Sequence, residues 1–345
     1  MSFYGQNAAS PLVENGLIFL NANTDTSTLM ALRTTDGSLA WRSLDEALTH
    51  STPILTTIDG VRQLVFATQS GLVSLNPTNG NLLWKSPYPF TYSTSFAASP
   101  TVHSNIVFMT ANYNRGAFAT RVSFSNTTWV TTPLWTNSAL VSHWMTPVCY
   151  QGHLFGQFTP DNADAQLRCI DLETGAQKWA TNGFGRGATL IVDEHLLSIT
   201  ERGYLVLAKL NTNAYTEVAR ILAIPDYHPD TNKCWNAPAI CNGKVYVRST
   251  AYAAAFNLSM PDLKLNSPQF VFVNNLQLTV RTADGTPVSL DRLTDMELKT
   301  STDLALPPAL WTKLTNSLML TNGIVSVTNL DASAPRRFFI VSEPK

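Results

Sequence analysis

Residues 169–179 read CIDLETGAQKW and have the pattern of a β-hairpin. Apolar side chains alternate through Leu167 and Cys169, as is typical of a strand with one buried face. Residues 173–175 then predict a tight turn, in which Gly175 supplies the positive φ that other residues disfavour. A second strand follows and carries Trp179.

The same hairpin pattern occurs twice earlier in the chain. Residues 32–41 read LRTTDGSLAW, and residues 75–84 read LNPTNGNLLW. In all three copies a turn glycine precedes a tryptophan by four residues, which indicates an internal repeat. The repeated pairs are Gly37 and Trp41, Gly80 and Trp84, and Gly175 and Trp179.

A second marker gives the period of the repeat. Prolines 11, 53, 100, 147 and 238 each precede a short apolar strand, and the first four are 42, 47 and 47 residues apart. The longer gap before residue 238 leaves room for one unit without the proline, at residues 188–192. Six units of about 40 to 50 residues, each with four short strands, are typical of β-propeller blades. We place these units at about 8–43, 48–88, 96–137, 143–182, 183–222 and 234–259.

The predicted fold class is therefore all-β, with the propeller over residues 1–260. The sixth unit has no fourth strand of its own, and residues 1–7 are barely long enough to supply one. The composition changes after residue 259. We predict a linker at 261–268 and a small C-terminal β-sandwich at 269–345, because strands alternate again there without the tryptophan repeat.

Composition excludes several classes of partner. The net charge is −1 and only 14% of residues are charged, which argues against nucleic acid and against an anionic membrane surface. No apolar run reaches the roughly 18 residues that a membrane span needs. Residues 1–5 do not resemble the start of a signal peptide. The four cysteines form no CxxC pair, so we interpret them as small buried residues.

The repeat resembles that of the pyrroloquinoline-quinone-like propellers, whose pattern is roughly A-x-D-x-x-T-G-x-x-x-W. Asp171, Thr174, Gly175 and Trp179 match it in place, and the two earlier copies match in part. This family includes quinoprotein alcohol dehydrogenases and the BamB-like propellers of the outer-membrane barrel-assembly machine. The resemblance implies a bacterial protein that is periplasmic, outer-membrane-associated or extracellular in its complete form. It also implies eight blades. Six units therefore indicate either a six-bladed relative or a chain that lacks its first two blades, and the unclosed sixth unit favours the second, an incomplete eight-bladed ring.

The resemblance does not bring the family's cofactor with it. Quinoprotein dehydrogenases hold the quinone under a vicinal disulfide and beside Ca²⁺, which needs six to eight oxygen ligands. This sequence has no adjacent cysteines and no acidic cluster that recurs on one side of the repeats. Asp171 belongs to a repeat turn and is not the catalytic aspartate. We therefore predict no quinone, no metal and no enzymatic activity.

Two sets of aromatic residues remain to be interpreted. One large aromatic at a fixed place in each repeat is explained by packing between blades, with ligand stacking as the alternative. The loops that precede each blade's first strand are expected to lie on one face, around the central channel. They place two histidines, an arginine and three aromatic residues together, which suits either a binding face or a plug of the channel mouth. These candidate residues are His50, Phe96, His143, Trp144, Arg186 and Trp235.

The predicted function is a non-catalytic scaffold that binds a protein or another cell-envelope partner through this face. The alternative is a quinoprotein-like oxidoreductase, or a protein that binds or processes carbohydrate, with its site on the same face. A hydrolase would need paired carboxylates or an activated nucleophile among these loops, and the sequence supplies neither there.

Overall fold

A computed structural model describes residues 8–22, 28–47, 49–89, 97–113, 115–159, 164–258 and 260–343. The chain divides into two compact units, Met1–Asn257 and Leu258–Lys345. Apart from two single-turn helices in the second unit, the regular structure of these described residues consists of β-strands.

The first unit consists of five four-stranded sheets and one three-stranded sheet, numbered here as blades 1 to 6 in chain order. Within each blade, every strand pairs antiparallel with the strands next to it in sequence, which is the arrangement of propeller blades. The predicted all-β propeller fold is thus confirmed. The strands of blades 1 to 3 are β1 (Leu12–Glu14), β2 (Leu17–Asn21), β3 (Leu29–Arg33), β4 (Leu39–Ser43), β5 (Ile54–Ile58), β6 (Val61–Thr68), β7 (Gly71–Leu75), β8 (Leu82–Pro87), β9 (Thr101–His103), β10 (Ile106–Ala111), β11 (Gly116–Ser125) and β12 (Thr128–Asn137).

Blades 4 and 5 have four strands each, and the described part of blade 6 has three. Their strands are β13 (Val148–Tyr150), β14 (His153–Phe158), β15 (Gln166–Asp171), β16 (Gln177–Thr181), β17 (Ala188–Val192), β18 (His195–Ile199), β19 (Tyr204–Lys209), β20 (Glu217–Leu222), β21 (Ala239–Cys241), β22 (Lys244–Arg248) and β23 (Ala253–Asn257).

The first two strands of several blades are joined by two-residue turns with positive φ at both positions. Asn15 and Gly16 have φ of 50° and 77°, and Asn242 and Gly243 have φ of 49° and 69°. Asparagine and glycine adopt this left-handed conformation most readily, and the resulting turn follows the twist of the strands. The local sequence therefore favours these hairpin turns.

Buried apolar side chains fill the space between successive blades. Five clusters join blades 1 and 2, 2 and 3, 3 and 4, 4 and 5, and 5 and 6. No cluster of described residues joins blade 6 to blade 1. Residues 1–7, the segment that could supply the missing strand of blade 6, lie outside the described residues, so the incomplete eight-bladed ring stays a prediction.

The repeat tryptophans lie on the fourth strands of their blades. Trp41, Trp84 and Trp179 are only 8%, 3% and 9% exposed. Trp41 Nε1 donates a hydrogen bond to a backbone carbonyl of blade 2, at 3.0 Å, and Trp179 Nε1 donates to one of blade 5, at 2.9 Å. Trp84 Nε1 instead donates to Gln63 Oε1 in its own blade. These side chains pack in the interior, between one blade and the next.

The turn glycines make room for the tryptophan of the preceding blade. A Cβ atom on Gly80 would lie 2.5 Å from the Trp41 ring, and one on Gly175 would lie 2.6 Å from the Trp135 ring. A Cβ atom on Gly37 would have no heavy atom within 4 Å, apart from those of Gly37 itself and its two chain neighbours. The glycine and tryptophan of this repeat therefore meet across blade interfaces and not within one hairpin.

Asp171 shapes the turn that precedes Gly175. Its Oδ1 accepts hydrogen bonds from the backbone nitrogen and the hydroxyl of Thr174, both at 2.9 Å. Burial raises the pKa of Asp171, but these hydrogen bonds outweigh it and the net shift is downward. The carboxylate is thus held in its charged form as an acceptor for the turn.

The second unit contains two sheets around one core. Its elements are β24 (Leu263–Leu265), β25 (Gln269–Phe272), β26 (Asn275–Thr282), α1 (Arg292–Asp295), β27 (Glu297–Ser301), a 3₁₀ turn (Pro308–Leu310), β28 (Thr312–Lys313), β29 (Met319–Thr321), β30 (Ile324–Asp331) and β31 (Phe338–Ser342). One sheet has the order β24-β26-β30-β29, with β25 also paired to β26, and the other has the order β28-β27-β31. Buried side chains from both sheets, among them Leu278, Val325 and Leu298, form a single cluster, so the unit is a small β-sandwich.

The stretch predicted as a linker, residues 261–268, differs from the prediction. Its central residues form β24, which pairs with β26 over Leu263–Leu265. Alternation of Leu263, Lys264 and Leu265 places both leucines against the core of the second unit. The flanking prolines end this strand but do not prevent it, since a short edge strand tolerates proline at its ends.

Candidate functional site

A repeated backbone hydrogen bond places the loops between blades in equivalent positions. In each case a loop carbonyl that follows a fourth strand accepts the N–H of a residue just after the second strand of the next blade. We call the segments 47–50, 141–144, 184–187 and 233–236, each of which begins at such a carbonyl, the face loops. The donor and acceptor pairs are Gln69 to Ala47 (3.2 Å), Thr159 to Val141 (2.8 Å), Glu201 to Phe184 (2.9 Å) and Thr250 to Lys233 (3.2 Å).

The face loops bring the rings of three of the predicted residues into contact, tilted against one another. The ring centroids of His143 and Trp144 are 3.9 Å apart, and those of Trp144 and Trp235 are 4.2 Å apart. Tyr113, which follows β10 of blade 3, meets His143 edge to face at 5.4 Å. We call these four residues the aromatic cluster. Its members come from blade 3 and from the loops before blades 4 and 6.

Two cations lie over rings of the aromatic cluster. The Arg186 guanidinium lies 5.9 Å from the Trp144 ring centroid, and Lys233 Nζ lies 3.6 Å from that of Trp235. Both distances fall within the range of cation–π attraction. In the described part of the chain neither cation forms a salt bridge.

The carboxylate at this place is Glu201, whose oxygens both accept hydrogen bonds. Oε1 accepts from Trp235 Nε1 at 2.8 Å, and Oε2 accepts from the backbone nitrogen of Arg186 at 3.1 Å. Glu201 therefore holds two face loops in position. The sequence analysis missed it, although it takes the position of Gln69 and Thr159 in the repeat and an alignment of the units would have indicated it.

Several polar atoms near the aromatic cluster are buried without a hydrogen-bond partner among the described residues. A buried donor or acceptor without a partner costs about 1–3 kcal/mol, so such groups call for an explanation. Asn112 is bonded only through Nδ2, which donates to His143 Nδ1 at 2.6 Å. The unpartnered atoms are Trp144 Nε1, Arg186 Nε and Asn112 Oδ1; His50 Nε2, in the first face loop, is another unpartnered atom but is not part of the cluster.

Two predicted residues do not join the aromatic cluster. His50 lies in the first face loop and makes no ring contact with the cluster in the described structure; burial lowers the pKa of its imidazole. Phe96 lies outside the described residues. The predicted residues that contact one another thus lie in the part of the face formed by blades 3 to 6.

The first face loop is preceded by a polar network that is fully satisfied. Glu46, only 4% exposed, accepts hydrogen bonds from Lys85 Nζ at 2.5 Å, Ser70 Oγ at 2.6 Å and Thr68 Oγ1 at 2.9 Å. Burial raises the pKa of Glu46, but these bonds outweigh it and the net shift is downward. This carboxylate joins blades 1 and 2 and has a structural role.

The described residues do not fit a calcium–quinone site. Among them, no three His, Cys, Asp or Glu side chains come together as metal ligands. The four cysteines are free thiols, and none is adjacent to another in sequence. The absence of a cofactor stays a prediction. No helix of the described residues is long and apolar enough to cross a membrane.

The geometry defines a β-propeller with an aromatic and cationic cluster on the loops between its blades. A family profile described as outer membrane protein assembly factor BamB matches residues 2–181, which is just over half of the chain. The chain belongs to this BamB-like family of quinone-like repeat propellers.

Three solved structures are similar to this chain, and the first of them supports the fold. BamB from Moraxella catarrhalis is 11% identical with a TM-score of 0.53, over 74% of this chain and 73% of that protein. A europium-containing methanol dehydrogenase is also 11% identical, with a TM-score of 0.44 over 78% of this chain and 62% of that one. AztD from Citrobacter koseri is 10% identical, with a TM-score of 0.44 over 99% and 76%. No curated protein matches the sequence.

Proposed function

We propose that the protein is a non-catalytic propeller scaffold of the bacterial cell envelope, which binds a protein partner through the aromatic cluster. The observation that carries this proposal is the contact of the rings of His143, Trp144 and Trp235, which come from loops of different blades. These rings are flanked by two cations that form no salt bridge with any described residue. Large aromatic residues and arginine dominate the energetics of protein interfaces. Membership in the BamB-like family supports the same role.

The side chains of the cluster support binding more than catalysis. Its carboxylate, Glu201, is engaged through both oxygens, by hydrogen bonds from Trp235 Nε1 and from the backbone nitrogen of Arg186. Catalysis on a glycoside would need a pair of carboxyl groups that are available as acid and base. Burial raises the pKa of Cys149 to about 11 and that of Cys234 to about 11. A thiol with such a pKa supplies almost no thiolate at neutral pH and is a poor nucleophile.

Site-specific photo-crosslinking in cells tests the proposal. Tyr113 and Phe124 are both 50% exposed, but only Tyr113 lies in the aromatic cluster. A photoreactive benzoylphenylalanine at position 113 should form a discrete cross-link to one envelope protein, and the same residue at position 124 should not. The additional substitution Trp144→Ala should remove the cross-link while the propeller remains folded.

Two outcomes would contradict the proposal. Equal cross-linking from positions 113 and 124 would show that the face has no special role. Retention of the cross-link in the Trp144→Ala protein would show that the partner does not contact the aromatic cluster. Fractionation of the same cells should place the cross-linked product in the envelope, and a cytoplasmic product would contradict the proposed location.

A further inference from the structure

The charges around the aromatic cluster favour an anionic ligand. Arg186 and Lys233 contribute two positive charges over the rings, and Glu201 contributes one negative charge whose oxygens already accept hydrogen bonds. One further pair of opposite charges, Asp164 and Arg202, acts on Tyr227 together with Glu201 and Arg186 and leaves this balance unchanged. Neither cation has a carboxylate within ion-pair distance among the described residues. An arginine next to a ring commonly retains its fork of donors for a carboxylate, which it binds through two parallel hydrogen bonds.

The same cations lie directly beside an apolar surface. The ring of Trp144 contacts those of His143 and Trp235 at interplanar angles of 38° and 44°, so the three rings form one continuous surface, with Arg186 at Trp144 and Lys233 at Trp235. A ligand that satisfies both features carries a carboxylate next to an apolar or aromatic group. An acidic residue flanked by aromatic residues in an extended peptide has this chemistry.

The number of cations favours a protein segment over a polyanion. Binding to nucleic acid draws most of its free energy from many phosphate contacts, whereas this face offers two cations on a chain of net charge −1. The rings of His143, Trp144 and Trp235 also form a larger apolar surface than a small free anion could cover.

We propose that the aromatic cluster binds an aspartate or glutamate side chain of an extended partner segment, with Arg186 as the carboxylate receptor and Lys233 as a second cation. This inference rests on the proposed function, because it names the chemistry of the partner at the same site. The flanking residues of that segment pack on Trp144 and Trp235. A carboxylate that enters the cluster also supplies acceptors for Trp144 Nε1 and Arg186 Nε, two buried donors that have no acceptor among the described residues.

A pair of matched peptides tests the inference without changing the protein. The probes are a capped Gly-Phe-Glu-Phe-Gly peptide and the same peptide with glutamine, which has the same shape and no charge. Calorimetry or NMR titration should give a dissociation constant about tenfold to hundredfold lower for the glutamate peptide, as expected for a charge-assisted bidentate contact. Equal affinity for the two peptides would overturn the inference.

Protein variants identify the receptor. Arg186→Gln should remove the preference for the glutamate peptide, and Lys233→Gln should reduce it by about threefold to tenfold. Lys244→Gln, which changes an exposed lysine of blade 6, should leave the preference unchanged. A preference that survives Arg186→Gln in a protein with an unchanged melting temperature would overturn the assignment. If that variant does not fold, Lys233→Gln decides in its place, and an unchanged preference there would contradict the proposal.

Two further probes separate other sources of the anion. Phenylacetate that binds as tightly as the glutamate peptide would assign the face to a small carboxylate, and a single-stranded oligonucleotide that binds through Arg186 would assign it to nucleic acid; either result would overturn the inference. If position 113 cross-links a partner in a Trp144-dependent manner and both peptides bind equally, the proposed function stands and the carboxylate fails. If no position on the face cross-links, the proposed function itself fails.

Discussion

The molecule uses tryptophan in two ways, and the surroundings of the indole N–H distinguish them. Trp41, Trp135 and Trp179 lie on fourth strands and donate to backbone carbonyls of the next blade at 2.9–3.0 Å. Trp144 and Trp235 lie on the face loops, and their tilted rings contact each other with centroids 4.2 Å apart. Trp235 Nε1 donates to Glu201, and Trp144 Nε1 has no partner in the described structure.

This difference separates what stabilises the propeller from what is available for a partner. The ring of a repeat tryptophan is packed between blades and its N–H group is hydrogen-bonded, as in Trp41 and Trp179. Such a residue stabilises the fold and has no group available for a partner. The face tryptophans are partly exposed and lie beside Arg186 and Lys233, which form no salt bridge within the described structure. The contrast predicts which substitutions will unfold the protein and which will only abolish binding.

The largest effect is expected from removal of a repeat tryptophan. Trp179→Ala should lower the free energy of unfolding by about 3–5 kcal/mol, because it removes a buried indole and leaves the Asn211 carbonyl without its donor. Trp144→Ala should lower it by about 1 kcal/mol or less. Urea denaturation followed by far-UV circular dichroism measures both. Similar losses in the two variants would break the distinction.

The turn glycines sharpen the account of the repeat tryptophans. Gly175→Ala should cost about 2–4 kcal/mol, since alanine is strained at φ +72° and its Cβ would also meet the Trp135 ring. Gly37→Ala provides the matched control, because its φ of +71° imposes the same strain and no other residue's atom lies near the new Cβ. We expect a cost of about 1–2 kcal/mol there. Equal costs would indicate that the tryptophan does not constrain the turn.

The same contrast exists for two glutamates beside the face loops. Glu46→Gln should lower the free energy of unfolding by about 1–2 kcal/mol at pH 7, because it weakens a buried acceptor of three hydrogen bonds. Glu201→Gln should cost less, since an amide oxygen can still accept from Trp235. Denaturation of both variants and of the parent protein measures these differences.

The effect of Glu46 should depend on pH in a defined direction. The folded protein holds the pKa of Glu46 below its ordinary value of 4.5. Its charged form therefore stabilises the protein fully above pH 4.5, and this contribution is lost as the pH falls through the folded pKa. The gap between the parent and Glu46→Gln should narrow between pH 6 and about pH 3. A gap that widens toward acid would contradict the assignment.

The sequence predicted the fold well because the fold depends on local patterns. The spacing of Gly175 and Trp179 reports a turn and a buried position, and both are properties of one hairpin. What it did not predict is that Gly175 accommodates Trp135 of the preceding blade, since this contact requires the packing of two blades. The linker prediction failed at Leu263–Leu265 because a three-residue edge strand has too little alternation to be recognised.

The candidate site was predicted in part. Position in the repeat was sufficient to select His143, Trp144, Arg186 and Trp235. Glu201 was missed because it follows the second strand of its blade, outside the loops that were considered, and meets two face loops only in the folded chain. Lys233 was missed because its contact with the ring of Trp235, two residues further on, depends on the conformation of the loop.

An NMR spectrum of the indole N–H groups tests the central distinction most directly. The eight tryptophans give resolvable signals in a protein labelled with ¹⁵N at the indole nitrogen, and single Trp-to-Phe substitutions assign them. Addition of the capped glutamate peptide should move the signals of Trp144 and Trp235 and leave those of Trp41, Trp135 and Trp179 in place. Movement of the repeat signals by as much as the face signals, or movement of neither, would contradict the account.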